Sequence, residues 1–480
     1  MPSIAACWPD PEDLEAGTHD RGPCAAIHAA RALLPQGWAA DLRLEIRAGR
    51  IAALTAGAGA RAGDMRVDTL LPAPANLHSH SFQRAMAGLG EYRMPGQDSF
   101  WSWREAMYRL ANRLTPEQAE AIAAFAFMEM QEAGFAAVGE FHYLHHQKGG
   151  TPYADPAEMA RRMEAAAQQS GIGLTLLPVL YSRGGARGAP LSPAQARFGH
   201  DVEGYLGLLA ALREGADRAG DMRIGIAPHS LRAVTPADLA ALLASGAGGE
   251  GGGPVHIHIA EQDAEVAMIE SWLGARPVEW LLENAPVAGN WCLIHATHMR
   301  PDESRNLAAT GAVAGLCPIT EANLGDGIFD GTGWIQAGGR FGVGTDSNIS
   351  ITLAGELRMM EYSQRLRDRA RNRMNPGAGS LGEALFIQAV RGGAQALDRD
   401  AGRIETGRLA DLVALDTTRP DLAALPPERI MDGLVFACES LPLTDLWSAG
   451  RPRVRGGIHV AREAITRRWL RAVSALSQDA

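Results

Sequence analysis

From about residue 71 to about residue 400 the chain repeats one pattern: a short apolar run, a polar turn, then an amphipathic stretch of helical length. Strand-like runs fall at 71–80, 137–143, 174–181, 223–229, 255–261, 291–296, 312–317 and 341–346, which makes eight. Helical stretches lie between them, among them 116–133, 156–170, 264–273 and 301–310. Apolar strands alternating with helices predict parallel pairing, because a parallel connection needs a long crossover. Eight such units are expected to close into an α/β (β/α)8 TIM barrel, with chemistry at the carboxyl ends of the strands. A doubly wound open sheet competes, but its glycine-rich turn after the first strand is missing.

The flanks read differently. Residues 1–70 hold short alternating runs at 25–30, 41–46 and 50–54, separated by glycine-bearing turns. Residues 401–480 open with a turn and a buried strand over 402–416, continue with strand-like pieces to about 460, and end in a helix. The two ends are expected to pair into one small β-sandwich domain, with the barrel of 71–400 inserted between them. Two long segments leave the functional face. Residues 81–115 carry Trp101 and Trp103, and 182–199 are rich in glycine and proline. Lid, subunit contact or substrate enclosure are the natural roles. The glycine tract 246–253 precedes the fifth strand at the opposite end and reads as a spacer.

Charge and cysteine usage narrow the function. A formal net charge of −10 gives no basic field to gather a phosphate backbone, which argues against nucleic acid as partner. Cys7, Cys24, Cys292, Cys317 and Cys438 lie far apart with no CxxC spacing, as in a reducing compartment. No basic segment followed by an apolar one opens the chain, and no apolar run reaches membrane-spanning length. The expected address is the cytoplasm.

Metal-competent residues recur at the strand ends. His78 and His80 close the first strand with i, i+2 spacing, which places both imidazoles on one face of an extended chain. His258 closes the fifth strand and Glu261 follows in the turn; His295 closes the sixth and Asp346 the eighth. Singly, each has a bland reading as a core histidine or a helix cap. Together they fall on one face of one barrel. Three imidazoles and a carboxylate can hold one divalent ion with room for water, whose pKa such an ion lowers from about 15.7 towards about 7. Glu261 is the candidate proton shuttle, His295 can polarise the water, and Asp346 can bind metal and accept a proton. That chemistry suits hydrolysis at an amide, amidine or ring C–N bond. His256 shares the parity of His258 one layer deeper and reads as core. His142, His145, His146 and His298 are selected by nothing in their spacing, and His19, His28, His200 and His459 are assigned to surface or core.

On these residues the chain resembles the amidohydrolase superfamily, in the branch that holds one metal with an HxH pair, a fifth-strand histidine and an eighth-strand aspartate. The resemblance implies His78, His80, His258 and Asp346 as ligands, with Glu261, His295 and Asp346 catalytic. No fourth-strand lysine suited to carboxylation appears, which fits a single ion. The stretches His78-Ser-His-Ser-Phe-Gln-Arg-Ala-Met-Ala-Gly-Leu89, Asp98-Ser-Phe-Trp-Ser-Trp-Arg-Glu-Ala-Met-Tyr108, Glu140-Phe-His-Tyr-Leu-His-His146 and Ala227-Pro-His-Ser-Leu-Arg232 narrow it further. They resemble the members that convert N-formimino-L-glutamate to N-formyl-L-glutamate and ammonia in histidine degradation. The resemblance covers essentially the whole chain and implies Gln83, Arg104, Tyr143, His229 and Arg232 as substrate contacts. Two arginines suit a dicarboxylate, since each can bind a carboxylate in bidentate fashion. It also implies a homodimer and one divalent ion, zinc first, with iron and manganese compatible with the ligand set. A deaminase of a purine, pterin or pyrimidine ring is the alternative within the superfamily, and a non-catalytic scaffold the alternative outside catalysis.

Overall fold

The computed structural model describes residues 25–92, 99–216, 221–249 and 253–478. Cys7, Cys24 and His19 lie outside the described residues, as do positions 250–252 of the glycine tract and part of the first insertion. The strands are β1 (Ala25–Leu34), β2 (Gly37–Arg47), β3 (Arg50–Thr55), β4 (Met65–Pro72), β5 (Ala75–Ser79), β6 (Ala137–His142), β7 (Gly173–Leu180), β8 (Arg223–Ile224) and β9 (Ala227–Pro228). They continue with β10 (Val255–Ile259), β11 (Trp291–His295), β12 (Val313–Leu316), β13 (Arg340–Val343), β14 (Leu412–Leu415), β15 (Leu443–Ser448), β16 (Arg451–Arg455) and β17 (Ile458–His459).

Strands β5 to β13 form the barrel, all in parallel. Two bridges close the ring, Ser79 with Asp346 between β5 and the end of β13, and Ile226 with Val255 beside β10. Every described residue of β6, β7, β10, β11 and β12 is buried, as strands covered on both faces must be. Inside the ring the packing uses small and medium side chains such as Ala75, Leu77, Cys292, Ile294 and Val313. Proline stands in the first turn of the helices Pro116–Glu132, Pro236–Ala244, Pro277–Asn284 and Pro301–Ala309, where its missing N–H costs nothing. Thr115 and Thr235 cap two of these through their hydroxyls.

Two expected strands come out divided. The run 71–80 splits: Leu71 and Pro72 end β4 in the small sheet, and the barrel strand starts at Ala75. Pro72 and Pro74 supply no N–H for a continuous ladder. The run 223–229 is two short pieces, β8 and β9, around Gly225 and Ile226. There a Cβ on Gly225 would lie 2.5 Å from the Pro254 carbonyl oxygen, so the chain passes too close to its neighbour for a side chain.

Both chain ends build the small domain. Its hydrogen bonding follows one path, β17-β16-β15-β14-β4-β1-β2-β3. Strand β4 joins the halves, parallel to β1 on one side and antiparallel to β14 on the other. The sheet encloses its own core, including Ile27, Leu42, Leu44, Leu412 and Trp447. At the barrel's amino end the buried Arg399 grips Asp411 with two bonds of 2.5 and 2.9 Å, while Asp411 also accepts the Ala449 N–H at 2.7 Å. No helix among the described residues is long and apolar enough to cross a membrane.

Candidate metal and active site

The ends of β5, β10, β11 and β13 deliver the polar residues to one place. The Nε2 atoms of His78 and His258 are 3.1 Å apart, and Asp346 Oδ1 lies 3.4 Å from His78 Nε2 and 3.3 Å from His80 Nε2. Ligand atoms of His78, His80 and His258 all fall within 4.8 Å of one another, and all three side chains are buried. Atoms in a tetrahedral shell with bonds of about 2.0–2.1 Å lie about 3.3–3.4 Å apart, so these separations suit one small divalent ion.

Protonation and orientation agree with that use. His80 Nδ1 lies 2.9 Å from the Phe141 carbonyl and His258 Nδ1 lies 3.0 Å from the His229 carbonyl. Each bond places the ring proton on Nδ1 and leaves the Nε2 lone pair facing the cluster. Burial lowers the pKa of all three imidazoles, His78 to about 3, and keeps them neutral. His78 Nδ1 has no hydrogen-bond partner among the described residues.

The backbone is held in unusual conformations here. His295 and Asp346 have φ of 67° and 45°, both in the left-handed region. The Asp346 turn is fixed by reciprocal bonds to the first strand, His80 N–H to Asp346 O at 2.9 Å and Asp346 N–H to His78 O at 3.0 Å. Asn348 reinforces it, donating to Ser79 Oγ at 3.1 Å and to the Asp346 carbonyl at 3.0 Å. Gly344 lets the eighth strand pass: a Cβ there would sit 2.7 Å from the His78 carbonyl oxygen.

Around the cluster lies a cavity of about 440 Å³, lined by His80, His258, Glu261, His295 and Asp346. The five residues expected to touch substrate, Gln83, Arg104, Tyr143, His229 and Arg232, line it too. His78 sits behind, fully buried. His295 Nε2 stands 3.9 Å from both Glu261 Oε1 and Asp346 Oδ2. Burial would lower its pKa, but the Glu321 hydrogen bond and the charges of Glu261 and Asp346 outweigh that and raise it to about 10. Gln83 donates to the Tyr143 hydroxyl at 2.8 Å. The Arg104 guanidinium lies over the Trp101 ring, 4.4 Å from its centroid. Arg232 already has a carboxylate partner: its Nη2 donates to Glu261 Oε2 at 2.7 Å.

The insertions enclose this space. Helix Phe100–Ala111 supplies Trp101, Trp103, Arg104, Met107 and Tyr108, and the second insertion supplies Gly184 to Arg187 and Phe198. Trp101 and Trp103 both line the cavity, as enclosure of a substrate requires. His256 lies deeper in the barrel, bonded at 2.7 Å to the Ala396 carbonyl. His145 and His146 stay outside the cavity lining, bonded to the carbonyls of Val179 and Gly199.

Sequence reading missed four supporting residues. Glu321 accepts from the Cys317 N–H at 2.9 Å and lies 3.2 Å from His295 Nδ1, which orients that ring. Its position just past the seventh strand was the available signal. Glu265 accepts the Glu261 N–H at 3.0 Å, and its i, i+4 spacing from Glu261 was the hint. Asn348 and Asp326, the latter pushed up to about 9 by burial and by the charge of Glu261, carried no local pattern. Cys317 also approaches His295 and Asp346, but burial raises its thiol pKa well above the ordinary value and keeps it protonated.

Comparison with known proteins places this architecture. The amidohydrolase family model matches residues 69–450, and that of the formimidoylglutamate deiminase HutF N-terminal domain matches 24–68. A formimidoylglutamate deiminase of Pseudomonas aeruginosa is 48% identical over 453 residues, covering 94% of this chain and 99% of the relative. A 5-methylthioadenosine/S-adenosylhomocysteine deaminase of Natronomonas pharaonis is 27% identical, covering 83% of this chain and 84% of its own length. Among solved structures, an amidohydrolase from Brucella melitensis superposes with a TM-score of 0.90 at 47% identity, over 94% of this chain and 99% of its own. An adenosine deaminase from Xanthomonas campestris with bound zinc shares the fold at a TM-score of 0.75 and 20% identity, over 94% and 98% of the two chains. The chain belongs to the amidohydrolase family and, within it, to the formimidoylglutamate deiminases.

Proposed function

We propose that this chain hydrolyses N-formimino-L-glutamate to N-formyl-L-glutamate and ammonia, a step of histidine degradation. The observation that carries the reading is a buried His78–His80–His258–Asp346 nest opening into the same cavity as Glu261, Arg104 and Arg232. The deiminase relative at 48% identity supports the choice of substrate. His78, His80, His258 and Asp346 would hold one divalent ion. Zinc is our assignment, by analogy with the zinc-bearing fold relatives. Such an ion supplies a Lewis acid that makes water nucleophilic near neutral pH.

The chain's own groups do the rest. Asp346, lowered in pKa by its histidine neighbours against the effect of burial, is ionised and takes a proton from the attacking water. His295, between Glu261 and Asp346, holds a proton at Nε2 towards the oxygen that adds to the formimino carbon. The departing nitrogen receives two protons by way of Glu261, the one taken from the water and the one left on the added oxygen, so that ammonia leaves and the formyl C=O remains. Arg104 and Arg232 receive the two substrate carboxylates, and Gln83, Tyr143 and His229 shape the wall between them. The aromatic insertion helix keeps bulk water out. The enzyme is further assigned to the cytoplasm as a homodimer, which light scattering on the purified protein checks. A coupled ammonia assay tests the activity: release from N-formimino-L-glutamate, lost with a chelator, is expected. Release from guanine or cytosine in its place would favour a ring deaminase.

A further inference from the structure

Arg232 stands between two carboxylates. Its Nη2 donates to Glu261 Oε2 at 2.7 Å, and its Nε lies 3.8 Å from Glu265 Oε2. The two acids differ in freedom. Glu265 is fully buried at the start of the helix Asp263–Leu273 and is tied to the chain through the Glu261 N–H. Glu261 lines the cavity, and its carboxylate is held by the bond from Arg232 rather than by a backbone N–H. Arg232 and the His295 ring face four carboxylates, Glu261, Glu265, Glu321 and Asp346, so negative groups outnumber the cations here. A further carboxylate arriving there meets repulsion in a buried, weakly screened place, unless one of them moves off.

We propose that Arg232 is a latch on Glu261 that a carboxylate of the substrate opens. The proposal rests on the dicarboxylate reading above. With the latch closed, Glu261 is held by its Oε2 and is poorly placed to exchange protons. The incoming carboxylate takes over the Nη2 donor, Glu261 swings towards His295, and Glu265 keeps the guanidinium in place. Compounds that carry the formimino group without the carboxylate leave the latch shut. Specificity is then expressed in kcat as well as in binding.

Two measurements on the metal-loaded enzyme test this. The first is calorimetric titration with N-formyl-L-glutamate. Glu261→Gln removes the competing charge and should bind it about tenfold tighter than the unsubstituted protein, a gain that Arg232→Met on the same background should abolish. Equal affinity in the unsubstituted and Glu261→Gln proteins overturns the latch. The second is turnover of N-formiminopropylamine, which has no carboxylate. Arg232→Met should raise kcat on this compound about tenfold over the unsubstituted enzyme. An unchanged or lower kcat overturns the latch. Ammonia release from N-formimino-L-glutamate is measured in parallel. Its absence removes the proposed function and the latch with it, whereas its presence with unchanged product affinity removes the latch alone.

Discussion

The two ends of the barrel each bury an arginine against carboxylates, and they use it in opposite ways. At the amino end Arg399 binds Asp411 through two parallel bonds, and Asp411 is further fixed by the Ala449 N–H. At the carboxyl end Arg232 makes one short bond to Glu261, stands 3.8 Å from Glu265, and leaves its Nε without a hydrogen-bond partner among the described residues. The first arrangement satisfies its charges and locks the small sheet to the barrel. The second leaves Nε unpaired beside the buried Glu265, on a residue that lines the cavity. In this pair, full satisfaction goes with a joint and partial satisfaction with a cavity wall.

This contrast can be broken from either end. The largest effect is expected from stripping the metal with a chelator: ammonia release should vanish and return when zinc is restored, with the far-ultraviolet dichroism unchanged. Next, Glu261→Gln should lower kcat by about 10²–10⁴-fold while metal content stays stoichiometric, since it removes the proton carrier and no metal ligand. Retained turnover would take Glu261 out of that role. At the other end, Arg399→Met should cost about 3–5 kcal/mol of unfolding free energy, because it strands the buried Asp411, yet leave kcat per folded molecule unchanged. Denaturant unfolding with parallel kinetics separates the two. The smallest effect should come from Arg104→Met, which loses one charge-assisted contact of about 1.5–3 kcal/mol and raises KM with little change in Tm.

How much of this was written in the sequence depends on how local each signal is. Strand alternation is local, so the barrel and its order of elements were legible, as was the small sheet built by both ends. The positions of His78, His80, His258, Glu261, His295 and Asp346 were legible too, because each ends or follows a strand whose period sets its direction. Their convergence is then a property of the fold. The pairing of Arg232 with Glu261 was not legible, since it depends on how two neighbouring strand–helix turns lean together. Glu265 stands in the first turn of a helix, where an exposed acid would serve the helix dipole, and is turned inward instead. The breaks at Pro72–Pro74 and at Gly225 were hidden for another reason. Apolar periodicity runs straight across them, while hydrogen-bond supply and close backbone approach decide the ladder.

Strand β4 also has a consequence for how the molecule is made. One edge pairs with β1, a few dozen residues away, but the other waits for β14, which begins at Leu412. During synthesis that second edge stays bare until residues 412–415 have emerged. Chains cut short before Leu412 would therefore present an open hydrogen-bonding rim to one another, and aggregation of prematurely terminated products is the expected fate.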